Sequence, residues 1–461
     1  MAGVADGRMG GLRRAMAAGL VLLVAGGLAG GCATIKRARE AQDPARAPAG
    51  ERTVRAADIG LTSNTVLTLD EALRVALAWH PSVIQASQNV VAATAAAGET
   101  RAAYWPGLSA GAGYTRATGN TAASRGDNRS HDSYSGSLNL DLLVYDFGKT
   151  PAAVREAVAR LIAAQENYRA ARSDAAYGVR AAFYDLSRAD GLLQVSEDAV
   201  RQFEQHLEQA RTFLEVGTRI QYDVTKAEVD LGNARLSRIT ARNGVETSRA
   251  VLNRSLGMAE DPGYRLGAGP LQELARSLDD LMKEARERHP GLQALKAGEQ
   301  AASAAVDAAI ADLYPSLQVQ GRVGESGSKF PLVWNWSAAL QSAWDLFTGW
   351  RKTGAVDEAV ARLRAARASA ADREQQIYLD LRRAVGDMDS ARQRRDLSDL
   401  IVRQTKESLA LVDQRYRLGK ASAIEVTDAQ VAVTQAQSDQ IKARADYETA
   451  AAQIRHAIGE E

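Results

Sequence analysis

The sequence predicts an α+β membrane protein that is built from two structural repeats. Three observations lead to this fold class: a set of proline and glycine landmarks occurs twice, alternating apolar residues mark two pairs of strands, and long segments without proline follow each pair. Alternation with a period of two indicates half-buried strands. A long segment without proline indicates a helix, because proline interrupts helical hydrogen bonding.

Length and composition agree with an elongated, repetitive chain. The 461 residues exceed the usual size of a single domain. The 57 basic and 56 acidic residues nearly cancel, which argues against a dedicated nucleic-acid binder. Aromatic residues make up only 5% of the chain, too few for one thick globular core. Long helices packed side by side are therefore favoured over an ordinary helical globule.

The N-terminus predicts a signal peptide over residues 1–31. Arg8, Arg13 and Arg14 precede an apolar run from Ala15 to Ala29, and small residues follow. A basic segment, a short apolar segment and small residues are typical of a secretory signal, and the apolar run is too short to span a membrane.

Cys32 follows this signal directly and is the only cysteine of the chain. A lone cysteine has no internal disulfide partner, so we expect the Cys32 thiol to be covalently modified. The segment resembles a bacterial lipobox, which implies acylation of Cys32; it departs from that pattern because Leu28 lies four residues before the cysteine. Cleavage at an ordinary signal site with a free thiol is the alternative. Ala33 at the next position implies sorting to the outer membrane. Residues 32–66 are predicted to form an extended tether.

The repeats are recognised by five landmarks that recur in the same order at offsets of 199 to 209 residues. We predict the first repeat at 67–262, a linker at 263–277 and the second repeat at 278–461. The landmark pairs are His80-Pro81 with His289-Pro290, Pro106 with Pro315, Val144 to Gly148 with Ala343 to Gly349, Val216-Gly217 with Leu418-Gly419, and Leu256-Gly257 with Ile458-Gly459.

Each repeat is predicted to begin with two helices. Thr68 with Glu71 three residues later indicates a helix start, and this first helix is expected to run to Trp79. Pro81 suits the first turn of a second helix, which is expected to end near Ala103. The corresponding helix of the second repeat runs from Pro290 to about Asp312.

Two strands follow in each repeat, with apolar residues on one face. Leu138, Leu140, Leu142 and Val144 alternate with polar residues, and the fourth strand carries Trp334 and Trp344 ten residues apart. At a tilt of roughly 40°, ten residues span about 25 Å, the height of the apolar band of an outer-membrane barrel. A soluble sandwich with one wet face is the alternative. The predicted aromatic rims of the membrane band comprise Tyr114, Tyr134, Trp334, Trp336 and Trp344.

Four strands are too few to close a barrel, so several chains must contribute. Between the strands, loops are expected at about 117–133 and 325–331. Long helices follow: about 68 residues separate Gly148 from Gly217, roughly 100 Å of helix, and a second leg returns from about Gln221 to Leu256. The second repeat matches this pattern from Gly349 to Gly419 and back to Ile458.

This ordered set of features resembles the TolC-type outer-membrane factors over about residues 67 to 460. The resemblance implies a homotrimer with a shared β-barrel, four strands from each chain, continuous with a long periplasmic α-helical barrel. It further implies an outer-membrane exit channel of a tripartite efflux or type I secretion system. A periplasmic membrane-fusion adaptor and an inner-membrane pump are its implied partners, and the pump selects the substrate.

The resemblance places a gate at the periplasmic end. Glu425 and Asp428 lie three residues apart and so share one helical face, and the resemblance implies that three copies form an acidic constriction. Asp223 lies at the matching position of repeat one. Tyr416 matches a family tyrosine and is expected to hydrogen-bond across to the Asp223 region. The family has a basic clamp at the place of Ala421, which leaves Lys420, Arg219 or Arg415 as substitutes. Solvated helix carboxylates are the alternative interpretation.

The two helix reversals are expected to form the tip that contacts the adaptor. Glycine suits such a reversal because it adopts positive φ without strain. Helix capping without docking is the alternative. The predicted tip residues are Val216, Gly217 and Thr218 in repeat one, and Leu418, Gly419 and Lys420 in repeat two.

The rival functions are a scaffold and an enzyme. A non-channel periplasmic coiled-coil scaffold lipoprotein explains the helices but not the alternating strands. The sequence has none of the common motifs for a phosphate loop, a zinc protease or a serine hydrolase. His80 and His289 precede prolines at helix junctions, which favours a turn or capping role over a metal site. We therefore predict no enzyme activity and no metal or cofactor beyond the lipid at Cys32.

Overall fold

The computed structural model describes residues 33–42, 55–62, 65–118, 130–217, 220–267 and 276–460. The predicted signal peptide and Cys32 lie outside these ranges. Residues 33–41 form an exposed helix, whereas an extended tether was predicted. The difference follows from composition, because this stretch is rich in alanine and basic residues, which favour helix, and precedes the first tether proline, Pro44.

Each repeat contains two shorter helices, two strands and a hairpin of two long helices. Repeat one comprises α1 (Leu69–Trp79), α2 (Pro81–Arg101), β2 (Gly107–Thr118), β3 (Ser130–Tyr145), α3 (Lys149–Glu215) and α4 (Gln221–Ser255). Repeat two comprises α5 (Leu278–Arg288), α6 (Pro290–Ala311), β5 (Ser316–Gly327), β6 (Val333–Ala343), α7 (Arg351–Arg417) and α8 (Ala423–Ile458). Two short strands, β1 (Val66–Leu67) and β4 (Arg265–Leu266), pair in parallel.

The first helices begin at the residues that the sequence indicates. Thr68 accepts a hydrogen bond from the Glu71 amide, and the Glu71 carboxylate accepts one from the Thr68 amide, which completes a capping box. His80 and His289 each end one helix and begin the next, where the ring Nδ1 accepts a backbone amide. Their predicted capping role is confirmed. Burial and the charge of Arg373 lower the pKa of His289 to about 4, so its ring is neutral near pH 7.

The four strands form one antiparallel sheet in the order β2-β3-β5-β6. Its register places the predicted apolar residues side by side: Leu108 pairs with Leu140, Leu138 pairs with Val323, and Val323 also pairs with Trp336. One face of the sheet is therefore apolar. The other face carries Ser, Asn, Gln and Gly residues together with Asp141 and Arg322.

Two details of the sheet differ from the sequence prediction. The pairing of β3 with β5 shifts between Leu143 and Tyr145, so Tyr145 rather than Val144 stands opposite Leu317. The strands also extend further into the predicted loops: β2 continues to Thr118, and β5 continues through Glu325 to Gly327. Cross-strand hydrogen bonding continues there because no proline interrupts it.

The long helices pack against one another and against the shorter ones. Helix α6 packs on both α3 and α7, and α8 packs on both α7 and α3, which joins the repeats. Buried clusters lie where α1 and α5 meet these helices. Tyr264, in the predicted linker, is fully buried in the first cluster, and its hydroxyl donates to Asn253 Oδ1 at 2.7 Å. The linker therefore begins within the core of repeat one.

Helices α3 and α7 have 67 residues each, about 100 Å of helix at 1.5 Å per residue. Across the described ranges, no helix combines the length and apolar character that a bilayer span requires.

The sheet register can be tested at Gly324. A Cβ there would lie 2.7 Å from the Gly136 carbonyl oxygen, so alanine must push two backbones apart. We expect Gly324→Ala to destabilise the folded protein by about 1–3 kcal/mol, measured by thermal unfolding in detergent. The matched control is Gly136→Ala, whose Cβ would meet no atom within 4 Å. Equal unfolding temperatures for the two variants would contradict the register.

Candidate functional site

The two long hairpins reverse direction at glycines with left-handed backbone. Gly217 has φ of +75° and Gly419 has φ of +73°. In repeat two, the Gly419 amide donates to the Tyr416 carbonyl at 3.0 Å and the Lys420 amide donates to the Arg415 carbonyl at 2.8 Å. These two bonds form a Schellman motif, which satisfies the last carbonyl groups of α7.

Both reversals project into open space. Val216 is 65% exposed and Leu418 is 71% exposed. A Cβ at Gly217 or Gly419 would meet no atom within 4 Å. Thr218, a predicted tip residue, and Arg219, a predicted substitute for the basic clamp, lie outside the described residues. The glycines therefore cap the helices, and the neighbouring apolar side chains remain available for a partner.

Helix α8 begins with the predicted gate carboxylates on its exposed face. Glu425 and Asp428 are exposed, whereas Val426 and Thr427 between them are buried. Ser422 and Glu425 form a second capping box, in which the Glu425 carboxylate accepts the Ser422 amide at 3.0 Å. This backbone hydrogen bond is the main cause that lowers the pKa of Glu425 below its usual value. The Ser422-x-x-Glu425 spacing signals this capping role in the sequence.

Arg415 is the basic residue that the structure brings to Glu425. Its Nη1 lies 3.8 Å from Glu425 Oε2, and its Nη2 donates to the Lys420 carbonyl at 3.3 Å. Ala421, at the position where the resemblance implies a basic residue, is buried beside Tyr416 and Val426. The clamp position is therefore apolar in this chain.

The side chain of Tyr416, in repeat two, contacts repeat one, as expected, but its ring packs against helix α3. It is 1% exposed, and its ring centroid lies 5.5 Å from that of His206 and 5.7 Å from that of Phe213. Asp223 lies in the first turn of α4 and is partly buried. The expected hydrogen bond from Tyr416 to the Asp223 region stays a prediction.

A second link between the hairpins was not foreseen from the sequence. The Thr427 hydroxyl donates to Asp230 Oδ2 at 3.1 Å across a buried contact between α8 and α4. Asp230 also forms an ion pair with Lys226, one turn earlier on α4. The four-residue spacing of Lys226 and Asp230 is a local signal from which this ion pair can be found, but no local pattern connects Asp230 with Thr427, 197 residues away.

The aromatic residues collect at the two ends of the sheet. At the loop end, Tyr114 pairs with Tyr134, and their ring centroids lie 5.1 Å apart. Trp334 lies at this end of β6, and Trp336 follows two residues later on the same strand. At the helix end, Trp344 lies just beyond β6, where its Nε1 donates to the Leu313 carbonyl at 3.0 Å. Among the described residues, no group of three or more His, Cys, Asp or Glu side chains is placed to hold a metal.

Two segments of the chain match the family model described as outer membrane efflux protein; they are residues 72–258 and 281–460. The chain is 27% identical over 397 residues to Protein CyaE of Bordetella pertussis, covering 84% of this chain and 82% of that protein. It is 22% identical over 350 residues to the alkaline protease secretion protein AprF of Pseudomonas aeruginosa, covering 73% of this chain and 72% of that protein.

Solved structures share the fold at lower identity. The outer membrane protein VceC of Vibrio cholerae superposes with a TM-score of 0.77 at 19% identity, covering 85% of this chain and 96% of that chain. The CmeC outer membrane channel of Campylobacter jejuni gives a TM-score of 0.78 at 18% identity, covering 85% of each chain.

Proposed function

Because the chain belongs to the outer membrane efflux protein family, we propose that it is the exit channel through which an efflux pump or a type I secretion system passes its substrate across the outer membrane. The observation that carries this function is the direct connection of an amphipathic four-stranded sheet to two helical hairpins, each with a first leg of 67 residues. A coiled-coil scaffold does not require such a sheet. The relative AprF is named for secretion and the matching family model for efflux, so the proposal covers both.

The working unit in this proposal is a homotrimer. Within one chain, β2 and β6 are edge strands. Three copies joined edge to edge would give a closed sheet of twelve strands with its apolar face towards lipid and its polar face towards the pore. The aromatic residues at both ends of the sheet would then lie at the two membrane–water interfaces.

The periplasmic gate in this proposal is a ring of Glu425 and Asp428 from three subunits. Support comes from their position on the exposed face of α8, next to the tip and opposite the face that packs against the other helices. A ring of carboxylates attracts cations and repels anions. Its charges also repel one another, so the closed state needs other contacts to hold it.

The exposed tips would dock the membrane-fusion adaptor of the pump. Val216 and Leu418 present apolar side chains at equivalent places of the two repeats, so a trimer would offer six similar tips. An apolar side chain in the centre of a small contact is a common anchor for binding.

Cys32 would carry the lipid anchor that holds the mature N-terminus to the outer membrane. The support is its position directly after the predicted signal peptide and the absence of any other cysteine from the sequence.

The channel and its gate are tested together by planar-bilayer recording of the purified protein. The closed wild-type channel should pass cations at low conductance and be blocked by multivalent cations. Glu425→Gln with Asp428→Asn should remove the block and weaken cation selectivity. Glutamine preserves the capping box, so the helix start is retained while the charge is lost. Because the hydrogen bond from the Ser422 amide lowers the pKa of Glu425, its charge should persist, and with it the block, at pH values where an ordinary glutamate is already protonated.

The control variant is Asp439→Asn, which removes an exposed carboxylate from α8 farther from the tip. It should keep both block and selectivity. A conducting double variant with unchanged block would place the constriction elsewhere. If the wild-type protein remained a monomer, or conducted no ions at any voltage, the channel function itself would be contradicted.

Adaptor docking is tested by Val216→Glu and Leu418→Glu. Both side chains are exposed, so the trimer should assemble normally, whereas capture of the adaptor should fall at least tenfold because a charge replaces an apolar anchor. Gly419→Asn is the control, since asparagine tolerates the left-handed turn and leaves the apolar side chains in place. Pull-down with unchanged adaptor yield for both glutamate variants would show that the turns act only as helix caps.

Lipidation is tested by mass spectrometry of the mature N-terminus. We expect Cys32 to be the first residue and to carry acyl chains, and Cys32→Ala to abolish both the acyl mass and this cleavage site. A free thiol at Cys32, or cleavage at another residue, would refute the lipid anchor.

A further inference from the structure

His206 is a buried histidine near the tip that the gate described above does not use. It lies on α3, is only 3% exposed, and its Nδ1 has no hydrogen-bond partner among the described residues. A histidine buried for packing alone normally has its ring nitrogens hydrogen-bonded. The apolar residues around this stretch are Val200, Phe203, Leu207, Ala210, Val224, Ala227 and Leu231.

Both hairpins contribute to the surroundings of His206. The ring of Tyr416, from repeat two, packs on the His206 ring with a centroid distance of 5.5 Å. Close to this contact, Asp230 of repeat one accepts the hydrogen bond of Thr427 from repeat two. If the two hairpin tips separate, Tyr416 leaves the ring and water reaches Nδ1. The solvation of His206 is thus tied to the contact between the tips.

Charged groups face His206 from two other helices. On α4, Asp230 and Asp223 favour the protonated ring while Lys226 opposes it; on α7, Asp413 favours it. Burial opposes protonation and is the largest effect, so the pKa of His206 lies below its ordinary value. With the tips in contact, the ring is neutral near pH 7.

We propose that His206 is a proton-operated latch: the neutral ring fits between the packed tips, and its protonation favours the state in which the tips separate and the channel opens. This inference rests on the proposed channel function. It assigns to the periplasmic gate a sensitivity to the acidity of the compartment that surrounds the tip.

The direction follows from linkage. A group whose pKa is lower in the closed state than when hydrated stabilises the closed state at high pH, and this stabilisation is lost as the pH falls. The hydrated ring titrates near pH 6.5. Between that value and the lower pKa of the closed state, each pH unit shifts the ratio of open to closed tips by up to about tenfold per histidine.

The other titratable groups with a shifted pKa lie elsewhere in the chain or titrate in another pH range. The lowered pKa of Glu425 keeps its carboxylate ionised throughout this range. Burial raises the pKa of Asp190 and of Glu448. Asp190 lies 16 residues before His206 on α3, about 24 Å along the helix. A substitution at His206 separates the latch from all of these groups.

The experiment records the intact channel in planar bilayers while the pH on the tip side falls from 7.5 to 5.5. The wild-type open fraction should rise as the pH falls, by up to about tenfold per histidine. His206→Gln, which is neutral at every pH, should show a flat response. The matched control is His80→Asn, because burial also lowers the pKa of His80, but at a helix junction remote from the tip. Asparagine retains the N-cap there, and the control should follow the wild type.

Should the glutamine variant fail to assemble, His206→Phe retains a ring against Tyr416 and gives the same test. Hydrogen exchange of the wild-type channel is a second measurement that needs no variant. After correction for the effect of pH on intrinsic exchange rates, the backbone amides in the first turns of α8 should be less protected at pH 5.5 than at pH 7.5. A conducting wild type with no pH response, a His206→Gln channel that follows the wild type, or unchanged protection would each overturn the latch alone. A wild type that never conducts would overturn the channel function as well.

Discussion

The constraint on which this structure depends is the hydrogen bonding of two strand edges. In the order β2-β3-β5-β6, the outer edges of β2 and β6 carry backbone groups that have no partner within the sheet. In the hydrocarbon region of a membrane each such group costs several kcal/mol. An apolar sheet face can enter lipid only if those edges are closed, and in the proposed trimer neighbouring copies would provide the closure. Helices α3 and α7 continue directly from β3 and β6, so in the proposed trimer they would pack around the axis of the closed sheet.

The two repeats share a fold but differ at the tip. Helix α8 starts with a capping box, whereas α4 starts at Ile220 without a side-chain cap. Repeat two contributes the exposed carboxylates, the buried Tyr416 and Thr427. In repeat one, His206 and Phe213 contact the Tyr416 ring, and Asp230 accepts the hydrogen bond of Thr427. One hairpin therefore carries the candidate constriction, and the other forms the surface on which it rests. The two repeats therefore carry different groups at the tip, although their landmarks match in order.

Local signals in the sequence predict most of the fold, and long-range contacts account for the rest. Thr68 with Glu71 and the prolines after His80 and His289 act within one turn, so their positions are readable in advance. The alternation of the strands likewise predicts the apolar face. The bulge that substitutes Tyr145 for Val144 depends on pairing with β5, and the burial of Tyr264 depends on a core assembled from distant helices. The contacts of the gate belong to this second kind, because His206 meets Tyr416, and Asp230 meets Thr427, only after the hairpins pack.

Ala421 stands at the position where the family resemblance implies a basic clamp, and its contacts at the tip are apolar. The remaining ion pair joins Arg415 and Glu425 at 3.8 Å, with both side chains about half exposed, and such surface pairs contribute about 0–1 kcal/mol. Full burial of one large apolar side chain contributes about 1.5–3 kcal/mol, and Tyr416, Ala421 and Val426 are all buried in the same cluster. Packing thus exceeds ion pairing at this tip. A contact that depends on packing is weakly affected by salt, but it is sensitive to a charge placed inside it, and His206 is the buried group beside Tyr416 that can acquire one.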